Sequence, residues 1–144
     1  SNTLFFSSEG ILRSISLSYK LLRMKLPLEK VINALGEPDH VIVWFAGRPM
    51  NDIKAFLCYP DTGITVRLNP IKTAYPPKEL LYDINKNTNV LSILIDIIDP
   101  ALSGVGGNEC KKPLDIALKH EWIGYGNYQA CNPDTNKLCA PYME

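Results

Sequence analysis

Leu28-Glu-Lys-Val-Ile-Asn-Ala-Leu-Gly-Glu-Pro-Asp39 is the stretch whose reading decides the fold. Leu28, Val31, Ile32 and Leu35 recur at i, i+3, i+4 and i+7, the spacing that gathers apolar side chains on one side of a helix. Pro27 stands where a first helical residue can do without its N–H. Gly36 supplies a left-handed stop, and Pro38 prevents the helix from resuming. A helix of about two turns does not hold itself in water. It must lie on something, with all four apolar positions facing that support.

The sequence on either side predicts a sheet. Val41 to Ala46 is apolar and β-branched at its start, Gly47 to Asp52 is a turn cluster, and Ile53 to Tyr59 is a second strand. Pro60-Asp-Thr-Gly63 is a strong turn signal, with proline and aspartate at the early positions and glycine where φ is positive. In the next strand Ile64, Val66 and Leu68 share one face and Thr65 and Arg67 the other. The short connections favour antiparallel pairing. Trp44 and Phe45 are adjacent in a strand, so one belongs to the core and the other to the opposite face. Gly10 to Tyr19 and Val90 to Ile98 read as further strands, with Asp99-Pro100 ending the latter. Residues 69–89 form a long excursion containing Pro70, Pro76 and Pro77, with one helical turn at Lys78 to Asp83. Glycines at 104, 106 and 107 imply a loop, Leu114, Ala117 and Leu118 place a helix over Pro113 to His120, and the tail from Glu121 onward is irregular.

These elements predict an α+β fold, a short helical layer packed on a four- to five-stranded antiparallel sheet. It forms one domain over residues 1–144, with its core at 26–98 and an irregular C-terminal extension at 101–144. Gly10 to Leu17 is similar to Asn89 to Asp96, which suits residues 10–19 as the end strand of a preceding repeat; two unrelated amphipathic strands would look equally alike.

Composition narrows the function classes. Fifteen basic residues balance fifteen acidic ones in 144, and no basic stripe points to nucleic acid. The longest apolar-rich stretch, Val90 to Ile98, is interrupted by Ser92 and Asp96 and is too short to span a bilayer, so no transmembrane segment is expected. Ser1-Asn2 reads as the remnant of tag cleavage, so a missing leader says nothing for the cytoplasm. Cys131 and Cys139 bracket a run of turn formers and are expected to form a disulfide that orders the tail; four free thiols in a cytosolic protein is the alternative. Cys58, within a strand, reads as a core cysteine or as the partner of Cys110. There is no C-x-x-C pair, and the two histidines stand far apart in sequence, so no metal site is expected.

Leu28 to Asp39, the two strands after it, and Tyr59-Pro-Asp-Thr-Gly-Ile64 together resemble bacterial exported lipoprotein domains. These share the fold of the β-lactamase inhibitor protein and of the small lipoprotein of the outer-membrane barrel-assembly machinery. The resemblance covers residues 26–98. It implies a helical layer over an antiparallel sheet and an extracytoplasmic location, periplasmic or at the cell surface, with room for a native lipid anchor. Its motifs are caps and turns, so it carries over no functional residue.

The chemistry-bearing residues are few. Asp39-His40 and His120-Glu121 are the acid–histidine neighbours. Adjacent strand residues do not face each other, and the two histidines are expected to lie far apart without a shared partner. Gly104-Val-Gly-Gly107 lacks the lysine of a phosphate loop and the glycine spacing of a dinucleotide site. Trp122-Ile-Gly-Tyr-Gly-Asn-Tyr128 interleaves aromatics with glycines. Trp122, Tyr125 and Tyr128 are therefore the candidate binding residues, or else a lid over an open sheet edge. The expected function is a non-catalytic exported domain that binds a protein or cell-envelope component, without catalytic residues or cofactor. The alternatives are an inhibitor of a secreted enzyme and a small hydrolase using His40 or His120.

Overall fold

The computed structural model describes residues 3–6, 12–18, 25–47, 50–73, 80–96, 110 and 118–130. The one helix among the described residues, α1 (Leu28–Leu35), begins immediately after Pro27, which occupies the cap position in an extended conformation rather than the first helical turn. No side chain caps it. Its leading N–H groups are satisfied by the backbone: Leu28 donates to the Thr88 carbonyl at 2.8 Å and Glu29 to that of Lys86 at 3.1 Å. Gly36, at φ 83°, ends it and donates to the Ile32 carbonyl.

The helix is pinned at its beginning, and burial falls off along it. Leu28 and Val31 are buried and Ile32 is partly so, whereas Leu35 is 38% exposed. Leu35 therefore departs from the expectation of a core position. It shares the apolar side by spacing, but it is the last residue before the chain turns away at Gly36, beyond the part held down by residues 86–88.

The sheet is larger than expected. Among the described residues it has eight strands, β1 (Thr3–Phe6), β2 (Leu12–Ser18), β3 (His40–Ala46), β4 (Asp52–Tyr59), β5 (Ile64–Leu68), β6 (Ile71–Lys72), β8 (Val90–Asp96) and β9 (Leu118–Glu121), while β7 (Leu81–Ile84) and β10 (Gly126–Gln129) form a separate two-stranded ribbon. The order is β1-β2-β8-β5-β4-β3-β9, and β6 extends the line of β5 along β4. Every pairing is antiparallel. The Pro60–Gly63 turn closes β4 onto β5 with Tyr59 opposite Ile64 and Gly63 at φ 69°, as the turn residues require. β2 lies beside β8, so the two similar strand sequences are neighbours in one sheet.

Three segments differ from the sequence expectation. Leu81–Ile84 is a strand rather than part of a helical turn, because Tyr82 and Ile84 alternate inward while Leu81 and Asp83 face out. Leu118–Glu121 is a strand rather than a helix end, since it completes the edge of β3. Gly126–Gln129 is a strand within the segment expected to be irregular. The Cys131–Cys139 pair, the Gly104–Gly107 stretch and most of the segment expected as a helix over Pro113–His120 lie outside the described residues.

Both faces of the central strands β3, β4 and β5 are buried. On one, Val41, Val43, Phe45, Ile53, Ala55, Leu57, Val66 and Leu68 pack beneath Leu28 and Val31 of α1 and Leu80, Tyr82, Ile84 and Tyr128 of the ribbon. A register shift aids this. Arg67 pairs with Ser92 but Leu68 pairs with Val90, so Leu91 is skipped and Val90 joins the core. On the other face Ile42, Phe56 and Cys58 form a second cluster with Trp44 and Cys110 beside it. Phe45 and Trp44 thus divide between the faces as alternation demands. Cys58 is bonded to Cys110, which carries a residue 52 positions away onto the second face.

Two outcomes test this arrangement. Leu28→Ala should destabilise by about 2–5 kcal/mol and Leu35→Ala by clearly less, as read from urea midpoints. Cys110→Ser, which opens the Cys58 bridge, should cost about 2–5 kcal/mol in the same assay, with the loop-closure contribution near 4.

Candidate functional site

Among the described residues, the connection between β9 and β10 is a built surface feature. β9 belongs to the large sheet and β10 to the ribbon above it, so residues 122–125 climb from one layer to the other. Gly124 at φ 95° and Gly126 at φ 154° take conformations that side chains resist. Tyr128 then fixes the loop from within. Its hydroxyl accepts the Ile123 N–H at 3.1 Å and donates to the Gly124 carbonyl at 2.6 Å. Trp122 stacks on Tyr128, ring centres 6.1 Å apart and 8° from parallel, and meets Tyr125 edge to face at 5.9 Å.

The three aromatics of the candidate set therefore have different positions. Tyr128 is buried in the main core opposite Tyr82, Trp122 is partly buried against that core, and Tyr125 is 38% exposed. The Trp122 Nε1 is buried and has no hydrogen-bond partner among the described residues. The most exposed large apolar side chain among the described residues is Ile123, 78% exposed, which the aromatic pattern did not single out. Its signal was an aliphatic residue between tryptophan and glycine with no periodic partner.

The loop and α1 meet the same core, since Trp122 packs against the cluster that holds Leu28 and Val31. The Tyr125 hydroxyl has its pKa raised by partial burial and then by the Glu29 carboxylate. Burial, followed by Tyr125 and Glu37, pushes the Tyr59 hydroxyl up to about 12. Tyr59 donates to the Gly36 carbonyl at 2.8 Å, tying the end of the helix to β4. Glu29 and Gly36 are seven residues apart and so lie on one side of the helix.

The histidines are not far apart, contrary to expectation. Val41 pairs with His120 and His40 with Glu121, which puts the two histidines one step apart on adjacent strands. Their side chains point to opposite faces, because alternate strand residues do. Among the described residues they share no partner: His40 Nδ1 lies 2.7 Å from Asp39 Oδ2, whereas His120 Nε2 lies 2.7 Å from the Gln129 carbonyl and its ring meets Tyr128 edge on at 5.6 Å. Asp39 reaches its neighbour because it stands at the bend before β3 and not within the strand. Directly opposite His40 is Cys58, whose sulfur is committed to the disulfide and cannot act as a nucleophile. No group of three metal-ligating side chains occurs among the described residues, and no helix among them is long and apolar enough to cross a membrane.

Against protein-family models, curated proteins and solved structures, the chain finds no match.

The Tyr59 phenol gives this region a pH signature. Its folded pKa lies above its ordinary value of 10, so its contribution to stability is complete below pH 10 and is lost as the pH rises toward about 12. Tyr59→Phe should therefore flatten the fall in thermal midpoint over that window. It should also lower stability at neutral pH by about 0.5–1.5 kcal/mol for the lost bond to Gly36.

Proposed function

We propose that this chain is a non-catalytic exported domain that binds a protein or cell-envelope component through the β9–β10 loop. The observation that carries this reading is the loop itself. Ile123 and Tyr125 are held out in solvent by a segment whose backbone is fixed by Tyr128 from the core. An exposed isoleucine on a rigid, glycine-shaped tip brings apolar area to a partner without an ordering cost at the moment of binding. Tyrosine beside it adds area at low entropic cost.

The Cys58–Cys110 bridge supports the compartment, because disulfides persist in oxidising surroundings. The resemblance of residues 26–98 to exported lipoprotein domains points the same way and agrees with a lipid anchor on the native protein.

Ile123→Asp changes an exposed side chain and should leave the thermal midpoint within a degree or two, whereas Tyr125→Ala also gives up the edge-to-face contact with Trp122 and should lower it by a few degrees. Both should abolish cross-linking of a partner in envelope fractions when a photoreactive residue is placed at position 127. Undiminished cross-linking would remove the loop from the interface. A hydrolytic activity that disappears in His40→Ala or His120→Ala would overturn the non-catalytic reading.

A further inference from the structure

On the face of the sheet away from α1, Cys58 has strand neighbours on both sides. Register places His40 of β3 directly opposite it on one side and Thr65 of β5 on the other. Residues opposite one another in antiparallel strands share a face, with Cβ atoms roughly 4.5–5.5 Å apart. All three are buried, Cys58 and Thr65 completely and His40 to 8% exposure. The other end of the disulfide differs. Cys110 is only partly buried, so it is the end that solvent reaches.

A bridge of this kind opens in one direction. A thiolate arriving from solvent meets Cys110, and Cys58 must then depart as a thiolate. Ile42 and Phe56 surround Cys58 on this face, and apolar burial makes a thiolate a poor leaving group. The imidazole opposite it answers that difficulty. Asp39 Oδ2 lies 2.7 Å from His40 Nδ1. A carboxylate only accepts, so Nδ1 keeps its proton and Nε2 is the nitrogen that gives or takes one.

We propose that Cys58–Cys110 is a site of thiol–disulfide exchange with a dithiol reductant, and that His40 is the proton donor to the departing Cys58. One reductant thiol loses its proton to water, and its thiolate attacks Cys110 Sγ. The new sulfur–sulfur bond forms as the bond to Cys58 breaks. Cys58 leaves with the electron pair and takes the Nε2 proton of the imidazolium, which water then replaces. The second reductant thiol, also deprotonated by water, displaces Cys110, which picks up a proton. The cysteine pair gains two electrons and two protons, and the reductant ends as its own disulfide. Opening the bridge removes the covalent hold of Cys110 on Ile42, Phe56 and Trp44, while α1 and the ribbon keep the opposite face covered. The charged groups on His40's side of the sheet are Glu121 and Lys119 of β9, both exposed, and Lys54 of β4, two rows away over Trp44. Glu109, Lys111 and Lys112 adjoin Cys110 in sequence.

The test is the rate at which dithiothreitol opens this bridge in the folded protein. It is followed by alkylation and mass spectrometry of the peptides holding Cys58 and Cys110, and divided by the thiolate concentration at each pH. Between about pH 8.5 and about pH 5.5, where histidine takes up its charge, the rate per thiolate should rise about 100-fold, the low end of what a positioned acid supplies. His40→Gln, which keeps a polar side chain, should abolish the rise and slow opening at the acid end. A purely structural His40 gives the opposite sign, since its loss loosens the sheet and speeds reduction. Asp39→Asn alters an exposed side chain and should diminish the rise, which keeps the test available if His40→Gln does not fold. A rate per thiolate that is flat with pH, or opening in His40→Gln as fast as in the parent, would overturn the proposal. So would a rate that follows unfolding and is indifferent to dithiothreitol concentration.

Discussion

The structure rests on a sheet whose middle is buried on both sides. In β4, Leu57 and Cys58 are adjacent, so they point in opposite directions, and neither has any exposure to solvent. Antiparallel sheets commonly leave one face wet. This one cannot, because β3 and β4 are apolar at nearly every position from Val41 to Phe45 and from Ala55 to Tyr59. Thr65, which alternation assigns to the face away from α1, is likewise completely buried. Two covers are needed, and the fold obtains them by different means. One is an amphipathic helix with a two-stranded ribbon. The other is reached through a covalent bond from the middle of the sheet to Cys110.

The first cover also creates the candidate site. The ribbon is built from β7 and β10, and β10 follows directly after β9 of the large sheet. The chain must step between layers within a few residues. That step has no ladder to satisfy its backbone, so a side chain substitutes: Tyr128, anchored in the core opposite Tyr82, gives its hydroxyl to the loop as donor and acceptor. The requirement that buried polar groups be paired thus holds the loop in one shape. Ile123 is left outside because the inward positions are already filled by Trp122 and Tyr128.

The same geometry separates the two histidines by function as well as by face. His120 is on the side of α1 and the ribbon, where it packs against Tyr128 and meets the Gln129 carbonyl, helping to join the two layers. His40 is on the disulfide side, buried between Cys58 and Glu121 in the cross-strand row and held by Asp39. Sequence proximity to an acid was therefore informative for His40, through a bend, and not for His120.

What the sequence by itself determined is what depends on near neighbours. The span and ends of α1, the Pro60–Gly63 hairpin, the strand at Ile64–Leu68 and the division of Trp44 from Phe45 all follow from spacing within a few residues, where backbone geometry translates directly into pattern. The aromatic run at Trp122–Tyr128 was legible as unusual for the same reason. What only the tertiary structure decided is everything set by pairing across long separations. Leu81–Ile84 and Leu118–Glu121 are four residues each, too short for a period to distinguish strand from helix, and they become strands because β10 and β3 offer them ladders. The pairing of Tyr128 with Tyr82 sends one candidate ring into the core, and the step between layers leaves Ile123 and Tyr125 in solvent. Local sequence marks which segment is unusual; the partner strand, dozens of residues away, decides which face each residue occupies, because a shift of one residue in register reverses them all.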